Sequence, residues 1–160
     1  MHNLNTFQSI TERDIDLLVL EELNVSDAFA HWFVCRVKEE AISPHIVGAW
    51  HSVVDTLLGE SDLVFIYQLD DLANQAVLIE NKIDAGAQPA QGERYQRRGQ
   101  KGVDEGLWQD FRTCLVAPKA YINKNAECYD AYITYEEIMA YFWHRVTDAV
   151  YTARRQSKMQ

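Results

Sequence analysis

The segment from Ala76 to Ile83, AVLIENKI, constrains the fold of this chain more than any other segment. It is apolar on both strand faces up to Ile79, which is typical of a central strand covered on both sides. Residues 61–69 form a second β-branched and apolar run, and a polar turn around Leu72 separates the two runs. The pattern therefore predicts a β-hairpin inside a sheet with helices on both of its faces.

Helical spacing dominates the chain before this hairpin and returns at its end. Thr11 and Ser26 are good N-caps for two helices, and Pro44 suits the first turn of a third helix that Gly59 would end. We further predict a helix over about 88–98 that stops before Gly99, strands over 113–118 and 131–134, and a last helix with the capping box Thr134 and Glu137. The chain is then one domain, 1–160, with a helical part at about 11–58, a sheet core at about 60–134 and a C-terminal helix at about 135–153. The order predicts an α/β or α+β fold, a mixed central sheet flanked by helices with a helical N-terminal third.

Composition excludes several classes of protein. The chain has three cysteines without CxxC spacing, which argues against a disulfide framework and against a thiolate zinc site. Neither a basic and apolar leader nor a long apolar run is present, so we expect a cytoplasmic protein. The net charge is −9, but residues 1–80 hold 3 basic and 14 acidic residues whereas residues 81–160 hold 12 and 10. The excess of basic residues in the second half is compatible with a basic strip on the surface of an otherwise acidic protein.

Two ionisable residues end the most apolar strand of the chain. Glu80 and Lys82 are two residues apart on a strand, so we expect both side chains on one face. Asp62 begins the neighbouring run, and antiparallel pairing about the turn brings residues 62–66 beside residues 78–82. Two convergent carboxylates, with the backbone carbonyl of Asn81 and waters, form the oxygen set that Mg²⁺ or Mn²⁺ prefers. The alternative is a salt bridge of Lys82 with Glu80 or Asp62 that carries no chemistry.

The wider pattern consists of Asp62, the segment IENKIDAGAQPAQGERYQRRG, and Gln91 and Tyr95 on the helix that follows. This pattern resembles the PD-(D/E)XK nuclease superfamily, with Ser61 in place of the signature proline. The resemblance implies a restriction-endonuclease-like αβββαβ core, although only two strands before the Gln91 helix are evident. It also implies a divalent-metal site and the hydrolysis of phosphodiester bonds, usually in DNA.

The resemblance also implies a role for each matching residue. Asp62 and Glu80 are then metal ligands, Lys82 is the catalytic lysine, and Gln91 and Tyr95 point at the site or at the scissile backbone. Glu22 is a further candidate for the acid that some members supply from an early helix. The expected cofactor is Mg²⁺ or Mn²⁺.

The expected partner is nucleic acid. A basic strip on the helix after the hairpin is expected to attract its phosphate backbone. This strip consists of Arg94, Arg97, Arg98 and Lys101. Trp108 and Phe111 are further candidates for nucleic-acid contact. The sequence is also compatible with a homodimer or with a complex with another protein. The alternative function is a catalytically silent nuclease-like scaffold that binds nucleic acid or protein in a bacterial defence or repair system.

Overall fold

The computed structural model describes residues 11–51, 54–55, 59–60, 63–84, 86, 90–125 and 128–157. The chain folds into a mixed α/β structure. In chain order its elements are α1 (Glu12–Val25), α2 (Asp27–Lys38), β1 (His45–His51), β2 (Val54–Asp55), β3 (Gly59–Glu60), β4 (Leu63–Gln68), β5 (Asn74–Asn81), α3 (Gln91–Asp104), β6 (Asp110–Ala117), α4 (Lys119–Lys124), β7 (Ala131–Thr134) and α5 (Tyr135–Ser157).

Five strands form the main sheet, in the order β1-β4-β5-β6-β7. The strands β1, β4 and β5 are antiparallel to one another, whereas β6 is parallel to both β5 and β7. The predicted hairpin is confirmed by the pairing of β4 with β5, from Leu63↔Ile79 to Gln68↔Asn74. The strand β5 therefore lies in the centre of a mixed sheet, as its apolar character predicts.

Hydrophobic side chains cover both faces of the sheet. Val77 and Ile79 of β5 belong to a core formed with α1 and α2, while Ala76 and Leu78 belong to a core formed with α3. This division follows from the strand period of two, which sends successive side chains to opposite faces. Glu80 therefore shares the α3 face with Leu78, and Asn81 shares the α1 face with Ile79.

Three predicted helix starts are confirmed. The Thr11 hydroxyl accepts a hydrogen bond from the Asp14 N–H, and the Ser26 hydroxyl accepts one from the Phe29 N–H. Thr134 and Glu137 form the predicted capping box before α5. Each cap satisfies backbone donors that the first helical turn leaves without partners. Within the described ranges, no helix has both the length and the apolar character needed to cross a bilayer.

The predicted third helix over 44–59 is wrong. Residues His45–His51 form the edge strand β1, paired antiparallel with β4, and the short strands β2 and β3 pair with each other. The helical part therefore ends at Lys38, and the sheet core begins at His45. A bulge between Ile46 and Gly48 breaks the alternation of β1, so that Gly48 and Ala49 are both buried. Without a clean period of two, the spacing of Ile46 and Trp50 was equally compatible with a helix.

The helix α3 is also longer than predicted, because it continues through Gly99 to Asp104. The start predicted at residue 88 lies outside the described residues. A Cβ added at Gly99 would lie 2.1 Å from Phe111 Cδ2, and one added at Gly102 would lie 1.9 Å from Trp108 Cζ2. These two glycines therefore allow α3 to pack closely on the aromatic rings. Their function is packing and not helix termination.

We expect Gly102→Ala to lower the free energy of unfolding by about 2 kcal/mol, because overpacking exceeds the gain of about 1 kcal/mol in helix propensity. The Trp108 ring cannot shift easily, since its indole Nε1 donates a 2.9 Å hydrogen bond to the Gly99 carbonyl. Urea unfolding measures the effect. Gly86→Ala is the matched control, because a Cβ there has no neighbour within 4 Å. Equal stabilities of the two variants would contradict this account of packing.

Candidate active site

Glu80 and Lys82 form a buried ion pair at the end of β5. Lys82 Nζ lies 2.8 Å from Glu80 Oε1. The two residues are only 3% and 8% exposed, respectively. The Lys82 N–H continues the parallel ladder by donating to the Val116 carbonyl at 3.0 Å, which keeps the residue aligned with β5. The prediction that both side chains lie on one face of the strand is therefore confirmed.

The first turns of α3 bring two further side chains to the same carboxylate. Gln91 Nε2 donates to Glu80 Oε1, and the Tyr95 hydroxyl donates to Glu80 Oε2. Gln91 and Tyr95 are four residues apart and therefore lie on one face of the helix. Both are buried. The resemblance implied that Gln91 and Tyr95 point at the site or at the scissile backbone. The structure shows that both side chains donate to Glu80.

The N-terminal turn of α1 packs against the other face of β5 at the same end of the sheet. Asn81 Nδ2 donates to the Glu12 carbonyl at 2.6 Å, and the Tyr135 hydroxyl donates to Asn81 Oδ1. The Glu12 carboxylate accepts from the Ile83 N–H at 3.0 Å. These contacts join α1 and α5 to the strand that carries Glu80. A metal-binding role for the Asn81 backbone carbonyl stays a prediction.

Asp16 is a site residue that the sequence analysis missed. It is a buried acid, 9% exposed, one helical turn after Glu12 and hydrogen-bonded to the Asn81 side chain. Burial is the main cause that raises the pKa of Asp16 to about 6; the Asn81 hydrogen bond opposes the rise and the charge of nearby Glu80 adds to it. The available signal was its spacing, because Asp16, Val19 and Leu23 form the buried stripe of α1.

Two buried oxygens at this site have unused acceptor capacity. Within the described part of the chain, no donor hydrogen-bonds to Asp16 Oδ1 or to Gln91 Oε1. Buried polar atoms are normally satisfied by protein, water or an ion. Both oxygens are hard ligands, either for a cation or for its bound water. Gln91 is hydrogen-bonded to the Glu80 carboxylate through its Nε2, and the charge of Glu80 acts on Asp16.

The described residues include only some of the predicted metal ligands. Among the residues that the structure describes, no three His, Cys, Asp or Glu side chains are arranged to hold a metal ion. Asp62, the predicted second ligand, lies outside the described residues. Leu63, which follows Asp62, pairs with Ile79, which precedes Glu80. The expected antiparallel pairing is therefore confirmed, but residues 63–66 lie beside residues 76–79 and not beside residues 78–82. The role of Asp62 stays a prediction.

The assignment of Glu22 as a metal-site acid is wrong. Glu22 forms a bidentate ion pair with Arg145 of α5, at 2.6 Å and 3.0 Å. It lies six residues beyond Asp16 on α1, and the two acids therefore point in different directions around the helix. Asp16, by contrast, lies close enough to Glu80 for the two charges to interact.

The predicted basic strip is corrected at one position. Arg98 is buried, with its guanidinium carbon 4.8 Å from the centre of the Tyr95 ring, so it packs behind the site and is not part of a surface strip. Arg97 and Lys101 are exposed and form long ion pairs with Glu93 at 3.9 Å and Glu105 at 3.7 Å. Arg94 is half-buried on the same helix. Three of the four predicted cations thus remain accessible.

Trp108 and Phe111 are not available as nucleic-acid contacts. Trp108 is buried, and both rings pack against the glycines of α3. The predicted nucleic-acid contact is therefore replaced by a packing role for both rings. Trp108 belongs to the hydrophobic core on the α3 face of the sheet, and the partly buried Phe111 packs against that core.

Comparison with known proteins gives no assignment. No family model, curated protein or solved structure matches this chain. A functional hypothesis must therefore be based on the site itself.

Proposed function

We propose that this protein is a divalent-metal-dependent nuclease that hydrolyses phosphodiester bonds, with DNA as the substrate class. The observation that carries the proposal is the buried pair of Glu80 and Lys82, held by Gln91 and Tyr95 at the end of the central strand. Burying two charges costs several kcal/mol unless pairing or function compensates. Buried ionisable groups that converge at a sheet end are characteristic of catalytic sites.

The element order supports a restriction-endonuclease-like fold. A helical start precedes three antiparallel strands, β1, β4 and β5, and the crossover helix α3 leads to the parallel strand β6. With the short pair β2 and β3 set aside, this order is compatible with the αβββαβ core that the resemblance implies. In this proposal β1 would be the third strand that the sequence pattern left unidentified.

The proposed metal ligands are Glu80, Asp16 and Asp62. The donor set fits Mg²⁺ or Mn²⁺, because it consists of carboxylate oxygens and because Asp16 Oδ1 is buried without a described donor. When bound, the ion would supply Lewis acidity toward the phosphoryl group and a more acidic bound water. Without the ion, burial is the main cause that raises the pKa of Asp16, and the charge of Glu80 adds to the rise.

The protein side chains would stabilise charge, position the metal ligand Glu80 and attract the phosphate backbone. Lys82 would stabilise the negative charge that develops on the phosphate and would orient the attacking water. Gln91 and Tyr95 act as positioning residues, because each donates a hydrogen bond that fixes one oxygen of Glu80. Arg94, Arg97 and Lys101 would attract the phosphate backbone to α3, whose first turns carry the residues that contact Glu80.

One observation favours the second candidate, a catalytically silent nuclease-like scaffold. Both oxygens of Glu80 already accept hydrogen bonds from protein groups, and Lys82 is paired with one of them. In a silent scaffold this network would be structural, and the basic residues of α3 would bind nucleic acid without cleavage.

Incubation with labelled single-stranded, duplex and branched DNA and RNA tests the proposal. We expect cleavage of DNA with Mg²⁺ or Mn²⁺, and a much lower rate with Ca²⁺, which coordinates more loosely. Glu80→Gln is the matched inactive variant, because it keeps the shape of the side chain and removes its charge. Binding of nucleic acid without cleavage under every metal condition would favour the scaffold and contradict the nuclease.

A further inference from the structure

The C-terminal helix α5 carries an apolar stripe that faces solvent. Met139, Trp143, Val146 and Val150 are 69%, 72%, 57% and 47% exposed, respectively. The sequence pattern places Val146 and Ala149 in a buried stripe with Ile138 and Phe142, but the structure exposes both. Every side chain described from Trp143 to Ser157 is exposed. Arg145 pairs with Glu22 of α1, and the last turns of α5 project from the domain.

The spacing of this stripe is that of a coiled-coil seam. The steps from Met139 to Trp143, Val146 and Val150 are four, three and four residues, which keep the side chains along one line of the helix. A projecting helix of this length is only marginally stable in water by itself, because most helix stability comes from packing. An apolar seam on such a helix is therefore expected to be covered by a partner.

We propose that a second copy of this chain covers the stripe, with the two α5 helices packed antiparallel about a two-fold axis. This arrangement places Met139 opposite Val150 of the second copy and Trp143 opposite Val146 of the second copy. Each contact then joins a large side chain to a small β-branched one, which lets the two seams interdigitate. The same contacts occur twice, as a closed two-fold interface requires.

The charges of the helix select the antiparallel orientation. Glu136 in the first turn and Arg154 near the last turn are exposed, and the helix period places them on the same side of the stripe. Glu136 Oε2 accepts a hydrogen bond from the Lys119 N–H at 3.0 Å, and its charge remains at the surface. An antiparallel pair brings Glu136 of each copy beside Arg154 of the other, whereas a parallel pair brings like charges together. Opposed helix dipoles favour the same orientation.

Continuity with a neighbouring apolar surface extends the interface. Met139 lines an apolar groove together with Leu18 of α1 and Phe142 of α5. Leu18 is itself 39% exposed. In the antiparallel pair, the last turns of the partner helix approach this groove. The interface is independent of the chemistry proposed at Glu80, so its test does not depend on nuclease activity.

Sedimentation of the full chain tests the oligomeric state. We expect a dimer at micromolar concentration, and a dissociation constant raised about 100-fold or more by Val146→Glu, which places two carboxylates in the seam. Thr152→Glu adds the same charge on the opposite side of α5 and is the matched control. A monomeric wild-type chain, or equal effects of the two variants, would overturn the proposal and assign the stripe to another protein or to none.

Cysteine cross-linking tests the orientation, in a Cys128→Ser background because Cys128 is exposed and free. Mixed Met139→Cys and Val150→Cys proteins should form a disulfide on mild oxidation, since these positions face each other. Met139→Cys alone should not, because its two copies lie about 16 Å apart along the antiparallel axis, beyond disulfide reach. Efficient cross-linking of Met139→Cys to itself would indicate a parallel pair and would overturn the antiparallel interface.

Discussion

Lys82→Met is expected to lower the rate of Mg²⁺-dependent DNA cleavage at least about 10³-fold, or by about 4 kcal/mol of transition-state stabilisation. The methionine keeps the apolar stem of the lysine and removes only its charge. Glu80 retains the hydrogen bonds from Gln91 and Tyr95, so the carboxylate is not left without donors. Loss of the charge partner of a buried carboxylate should nevertheless lower the free energy of unfolding by about 3 kcal/mol or more. Far-UV circular dichroism and thermal unfolding define the temperatures at which the variant is folded, and cleavage is measured there.

Metal binding separates the role of Lys82 from that of Glu80. Calorimetric titration with Mn²⁺ should give nearly wild-type binding for Lys82→Met, because the proposed ligands remain, and much weaker binding for Glu80→Gln. Lys119→Met, at an exposed position beginning α4, is the control for loss of a lysine charge. Wild-type cleavage by folded Lys82→Met would remove the catalytic role of this residue and leave a structural ion pair.

Asp16→Asn is expected to raise the free energy of unfolding of the metal-free protein near pH 7 by up to about 3 kcal/mol, while it weakens Mn²⁺ binding. Burial raises the pKa of Asp16 from 3.8 to about 6. Between these two values the folded protein holds a proton that the unfolded chain has released. The wild-type protein therefore loses stability as the pH rises through this window, and above it the fold contains a buried carboxylate. Asparagine removes that charge.

Urea unfolding in the presence of EDTA, from about pH 4 to pH 7, measures this effect. The stability difference between Asp16→Asn and wild type should be small at the acidic end and grow with pH. Asp14→Asn is the control of opposite sign, because hydrogen bonds from the Thr11 backbone and hydroxyl lower the pKa of Asp14. Asp14→Asn should therefore destabilise the protein at neutral pH. A pH-independent advantage of Asp16→Asn would contradict the buried-charge account.

Local patterns predicted much of the fold because they report contacts within a few residues. The caps at Thr11, Ser26 and Thr134 and the hairpin of β4 and β5 were predicted correctly for this reason. The edge strand β1 was not, because its bulge removes the alternation that marks a strand. Gly99 was misinterpreted as the end of a helix because its role depends on the ring of Phe111 from β6.

In the candidate site, too, local relations could be predicted from the sequence and contacts between distant elements could not. The sequence by itself determined that Glu80 and Lys82 share one face of a strand and that Gln91 and Tyr95 share one face of a helix, since these relations follow from the strand and helix periods. Only the tertiary structure decided that α3 directs its two residues at Glu80, that Arg98 is buried, and that Asp16 lies beside Asn81. Those contacts join elements distant in the chain, and their geometry depends on how whole helices pack against the sheet.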